Sequence, residues 1–133
     1  MKRPMLGFAL VVSMSTAAIA HHSIAAVYDS NKRVTIDGVV TEFQFINPHP
    51  LVTISVGSAA DVQQWRLEMD NRSELAGVGF TSQTLKPGDR VVVNGSRARN
   101  LDNRLYIRRL DRPADGFWYE QVGGSPKTSL RSR

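Results

Sequence analysis

Between Val34 and Leu110 apolar and polar residues alternate with a period of two, and the places where the alternation fails divide the chain into elements. Val34, Ile36, Val40, Phe43 and Phe45 predict one long strand over residues 34–46, with a change of phase near Gly38 that signals a bulge or a sharp coil. Asn47-Pro48-His49-Pro50 ends it as a turn, because two prolines remove two backbone donors and fix two φ angles. Strands are predicted again over residues 51–56 and 63–69, the second with Trp65, Leu67 and Met69 on one face. Residues 70–77 change character, with an N-cap candidate and one or two helical turns ended by glycine. Pro87-Gly88 turns the chain into a strand through Val91-Val92-Val93, and the last predicted strand covers residues 104–110.

Three meandering strands, a short helix and two further strands predict an all-β fold, a small OB-like, partly open five-stranded barrel with one short helix between strands 3 and 4. A small β-sandwich is the alternative. Upstream, Ser23 to Lys32 reads as an extended entry segment whose Ile24, Val27 and Tyr28 pack as an apolar lid. From Arg112 onward the pattern predicts a Gly/Pro/Ser-rich basic tail, anchored by Phe117-Trp118-Tyr119 and partly disordered beyond it.

The first residues follow a different rule. Lys2 and Arg3 precede the apolar run Leu6 to Val12, and Ala18-Ile19-Ala20 fits the small-residue cleavage pattern, so residues 1–20 read as a secretory signal peptide. The apolar run is short of the roughly 20 residues that span a bilayer. The expected organisation is therefore signal peptide 1–20, OB-like β domain 21–112 and tail 113–133, in a periplasmic or secreted protein with no membrane span after cleavage. Lys2 and Arg3 leave with the signal, so the formal charge falls from +5 to +3. So mild an excess, partly in the tail, does not suggest nucleic acid as a partner. The chain has no cysteine, which excludes a disulfide framework and thiolate metal sites.

His21-His22-Ser23-Ile24-Ala25-Ala26, Ile46-Asn47-Pro48-His49, Trp65-Arg66-Leu67-Glu68-Met69 and Leu85-Lys86-Pro87-Gly88-Asp89 together resemble an exported bacterial family, domain of unknown function 6152. The resemblance covers nearly all of the chain after residue 20. It implies an exported OB-like β domain and assigns no activity. Where that family tends to carry Gly-Trp after the short helix, this chain has Gly79-Phe80.

Cleavage after Ala20 places His21 at the mature amino terminus. A terminal histidine offers its α-amine and ring Nδ1 in one chelate, and an amine with an ordinary pKa of about 7.7–8.0 yields its proton to a metal readily. One more imidazole completes a three-nitrogen set suited to copper, similar to the histidine brace of exported copper proteins. His49, stiffened by Pro48 and Pro50, is the expected distant ligand; His22 is the substitute, and Glu68 and Met69 are candidates for an axial or outer position. The alternative is a metal-free envelope module that recognises a peptide, glycan or protein through Trp65, Tyr106 and Arg108. Glu42, Glu68, Asp70 and Glu74 have no spacing that forces an acid/base pair; they read as a solvated rim with salt links to Arg66, Arg72 and Arg90. No catalytic residue is assigned, and a binding protein is favoured over an enzyme.

Overall fold

The structure is a computed structural model that describes residues 23–130. Its elements, in chain order, are α1 (Ile24–Val27), β1 (Tyr28–Gln44), β2 (Leu51–Ser58), β3 (Asp61–Glu68), α2 (Arg72–Gly77), β4 (Arg90–Ala98), β5 (Arg104–Arg112), β6 (Phe117–Val122) and β7 (Ser125–Thr128). The strand order β3-β2-β1-β4-β5 closes on itself through a parallel pairing of β3 with β5, giving a five-stranded ring to which β6 and β7 are added. Ring closure and the helix between the third and fourth strands make this the OB-like barrel that the alternation predicts.

The long first strand makes the ring possible. Its first part pairs with β4 and its second with β2, both antiparallel, so one strand serves two neighbours as it coils. The register against β2 shifts between Val40 and Glu42, which places the bulge at Thr41 rather than at Gly38. Gly38 stays in register opposite Val91, and a Cβ there would lie 2.5 Å from the Ser55 carbonyl oxygen. The glycine therefore answers a close backbone approach, and Thr41 carries the change of phase.

Inward-facing residues alternate along each strand and fill the barrel: Val40, Val52, Ile54, Leu67, Val91, Val93, Leu105, Ile107 and Leu110 are buried in one core. Met69, Leu75, Phe80 and Leu85 join the same core from the segment between β3 and β4. Asn71 starts α2 with its side chain accepting from the Ser73 amide at 2.7 Å, which satisfies a donor the helix cannot.

Two segments differ from the expectation. The entry segment is not extended throughout: the Ser23 carbonyl accepts from the Ala26 amide at 2.7 Å and opens the single turn α1. Ile24 and Val27 then pack on Tyr28, Ala98 and Tyr106, the lid that the sequence implied. The tail forms a hairpin instead of an unpaired end, with β6 on β5 and β7 on β6. Phe117, Tyr119 and Gln121 alternate inward, and Phe80 meets the first two rings edge-on, with centroids 5.9 and 5.5 Å apart. That burial, with Gly123 at positive φ in the turn, makes the hairpin favourable. No helix among the described residues is long and apolar enough to cross a membrane.

Candidate functional site

Cross-strand register brings the chemistry-bearing residues to the outer face of β3 and β5. Leu51 is opposite Glu68 and Glu68 is opposite Tyr106, so Glu68 points outward while its neighbours Leu67 and Met69 fill the core. The turn before β2 contains a cis Asn47–Pro48 bond and is tied down by two of its carbonyls: Pro48 accepts from the Arg72 amide at 3.0 Å and Pro50 from the Met69 amide at 2.9 Å. Arg72 holds the same turn from the side, donating through Nε to the Phe45 carbonyl and lying 4.6 Å over the Phe45 ring.

On that fixed turn His49 Nδ1 lies 2.8 Å from Glu68 Oε1, and the hydroxyl of Tyr28 donates to Glu68 Oε2 at 2.6 Å. A carboxylate oxygen accepts, so Nδ1 is the donor in this pair and Nε2 is the ring nitrogen left for another partner. Both side chains are partly buried, His49 at 19% and Glu68 at 24% exposure. Burial pushes the Tyr28 phenol well above its ordinary range and the bond to Glu68 adds to this, against the opposing pull of the Arg104 and Arg66 guanidiniums. Ile46, Asn47, Pro48, His49 and Leu51 line one side of a shallow pocket of about 260 Å³; Arg66, Glu68 and Arg104 line the other.

His49 and Glu68, both named from the sequence, are thus brought together. Met69 is fully buried in the core and faces away from that pair. His21 and His22 lie outside the described residues. Among the described residues there is no cluster of three histidines, cysteines or carboxylates, so this face supplies one imidazole. Of the alternative set, Trp65 packs against the barrel core, Tyr106 is buried beside Tyr28 with ring centroids 5.8 Å apart, and Arg108 lies over Tyr106 with Nε donating to Ser96. These three do not share an open face. The expected salt links are corrected as well: Arg90 pairs with Asp37, Arg72 engages a carbonyl and a ring, and Arg66 pairs with none of the rim carboxylates. Tyr28 was legible only as a lid residue, and the juxtaposition of Arg66 with Arg104 required the parallel pairing of β3 with β5.

The model of the family of unknown function DUF6152 matches residues 9–105. The chain is a member of that family. In this DUF6152 protein the matched span includes the turn bearing His49 and the strand bearing Glu68, and it stops inside β5, before the β6–β7 hairpin. No curated protein matches the chain. Among solved structures it is similar to the mitochondrial single-stranded DNA binding protein Rim1 of S. cerevisiae, at 14% identity and a TM-score of 0.48, over 60% of this chain and 91% of that one. It is also similar to a ZRD-deleted mutant of TiaS in complex with agmatine, at 17% identity and a TM-score of 0.47, over 78% of this chain and 25% of that one.

Proposed function

We propose that this DUF6152 protein is an exported binding protein whose processed amino terminus and His49 take a Cu(II) ion. The observation that supports the reading is the pairing of His49 Nδ1 with Glu68. Metal-ligating histidines almost always give their other ring N–H to a carboxylate or carbonyl, which fixes the ring and raises its basicity. A histidine held in this way on a tied-down turn has little orientation left to lose on binding. In this reading His21 would give its α-amine and ring nitrogen, His49 its Nε2, and His22 would be the substitute. Nitrogen donors of this kind suit Cu(II), which heads the divalent affinity order, and a site holding it would serve copper carriage.

Contacts near the start of the described residues support the same reading. Arg99 fixes α1 by donating its amide to the Val27 carbonyl at 2.9 Å and its Nε to the Ala25 carbonyl at 3.3 Å. Tyr28, directly after α1, donates to the carboxylate that holds His49.

The test is a Cu(II) titration of the exported, processed protein beside a form with one extra alanine before His21, His49→Ala and Glu68→Gln. The expected outcome is loss of tight binding in the first two variants and a loss of about 10–100-fold in Glu68→Gln. Equal affinity in all four proteins would overturn the reading.

A further inference from the structure

Glu42 is opposite Thr53, Thr53 opposite Arg66, and Arg66 opposite Arg104, so four strands carry one polar row across the outer face of the barrel. Its last two members are like charges on adjacent strands about 4.8 Å apart, an arrangement that weakens a ladder unless something lies between them. Among the described residues neither guanidinium takes part in an ion pair or a side-chain hydrogen bond. Two of the nearby carboxylates are otherwise engaged. Glu42 Oε1 accepts from Gln44 Nε2 at 2.8 Å, and Glu68 is divided between His49 and Tyr28. The third, Asp102, lines the groove without an ion pair to either arginine.

Arg66 and Arg104 line both the pocket beside His49 and, on their other side, a groove of about 380 Å³ that runs past Trp65 and Thr53 toward Glu42. Arg66 and Arg104 are register partners lining the same groove as Thr53, and the planar fork of a guanidinium matches the oxygens of a carboxylate or phosphate. The opposite end of the row sets the size of the guest. Glu42 stands two strands from Arg66, about 10 Å away, so an extended polyanion along the row would meet a negative charge there.

We propose that Arg66 and Arg104 form an oxyanion site that holds one small anionic group, a carboxylate or a phosphate, between their guanidiniums. The site takes no ligand from the amino terminus or from His49 and does not rest on the copper reading.

The test uses metal-free protein expressed from the full sequence, titrated with inorganic phosphate and separately with succinate at constant ionic strength set with chloride. Arginine Nε–H signals are followed by NMR. The expected result is saturable shifts of the Arg66 and Arg104 signals in at least one arm, and the stronger arm names the source. Arg66→Gln and Arg104→Gln are each expected to weaken binding by about tenfold or more. Each is also expected to raise the melting temperature of the ligand-free protein by relieving the like-charge pair, which separates lost binding from lost folding. In His49→Ala, which removes an imidazole lining the neighbouring pocket, the Arg66 and Arg104 signals are still expected to shift saturably. Linear, unsaturable shifts in both arms, or unchanged affinity in both arginine variants, would overturn the proposal. Loss of anion binding in His49→Ala would also overturn it, by assigning the anion to the histidine.

Discussion

Replacing Tyr28 by phenylalanine removes one hydroxyl and leaves the rest of the outer cluster in place. The ring, 2% exposed, still packs on Tyr106; what disappears is the 2.6 Å donation to Glu68 Oε2. A hydrogen bond to a charged partner contributes about 1.5–3 kcal/mol. Glu68 keeps 24% of its exposure, so water replaces part of the lost bond, and the expected destabilisation lies near the lower limit, about 1.5 kcal/mol. In a domain of this size that lowers the melting temperature by roughly 6–10 °C. Tyr28→Ala also empties the space of the ring and is expected to cost about 3–5 kcal/mol. Urea unfolding of both variants reads these values directly, provided the m-value is unchanged. A double-mutant cycle of Tyr28→Phe with Glu68→Ala isolates the pair, with an expected coupling of about 1 kcal/mol. A Tyr28→Phe protein as stable as the parent, or as unstable as Tyr28→Ala, would refute the reasoning that Tyr28 fixes Glu68 and, through it, His49.

Burial raises the phenols of Tyr28, Tyr106 and Tyr119, which are all the tyrosines of the chain. Groups whose folded pKa is raised contribute fully below the unfolded value of about 10 and lose that contribution as the pH climbs above it. Absorbance at 295 nm is therefore expected to stay flat through pH 10 and to rise only together with loss of the β circular-dichroism signal; an earlier, separate rise would contradict the burial. Gly38→Ala puts a Cβ 2.5 Å from the Ser55 carbonyl oxygen, a backbone atom that cannot swing aside. It is expected to destabilise by about 1–3 kcal/mol in urea, and a neutral result would mean that β1 and β2 are less closely apposed. Asn71→Ala removes the cap on the Ser73 amide and is expected to cost about 0.5–2 kcal/mol, with Asn71→Ser restoring most of it.

Much of the barrel is legible from the period of two, because each strand has one face in the core and a one-residue error in register would expose all of it. Trp65, Leu67 and the outward Glu68 between Leu67 and Met69 follow from that parity alone. The bulge was legible as a change of phase, but its position was not: Gly38 is the obvious flexible residue, and Thr41 carries the bulge because register against β2 fixes it. The hairpin of β6 and β7 escaped because Gly123-Gly124-Ser125-Pro126 has the composition of a loop, while the burial of β6 comes from Phe80, far away in sequence. His49 was legible as a stiffened imidazole between two prolines. Its pairing with Glu68, and the tether from Tyr28, depend on which strands lie side by side. The parallel contact of β3 with β5 leaves no local trace in the chain, so the Arg66–Arg104 row appears only once the ring is closed.

The pairing of His49 with Glu68 gives the copper reading one sharp consequence. Pulsed electron paramagnetic resonance of the Cu(II)-loaded, exported protein counts coordinated imidazoles through their remote nitrogens, and the same measurement on His49→Ala identifies one of them. Two imidazoles in the parent protein and one in the variant are the predicted result. An identical signal from both proteins would show that copper is held by the terminus alone and would contradict a folded site at His49.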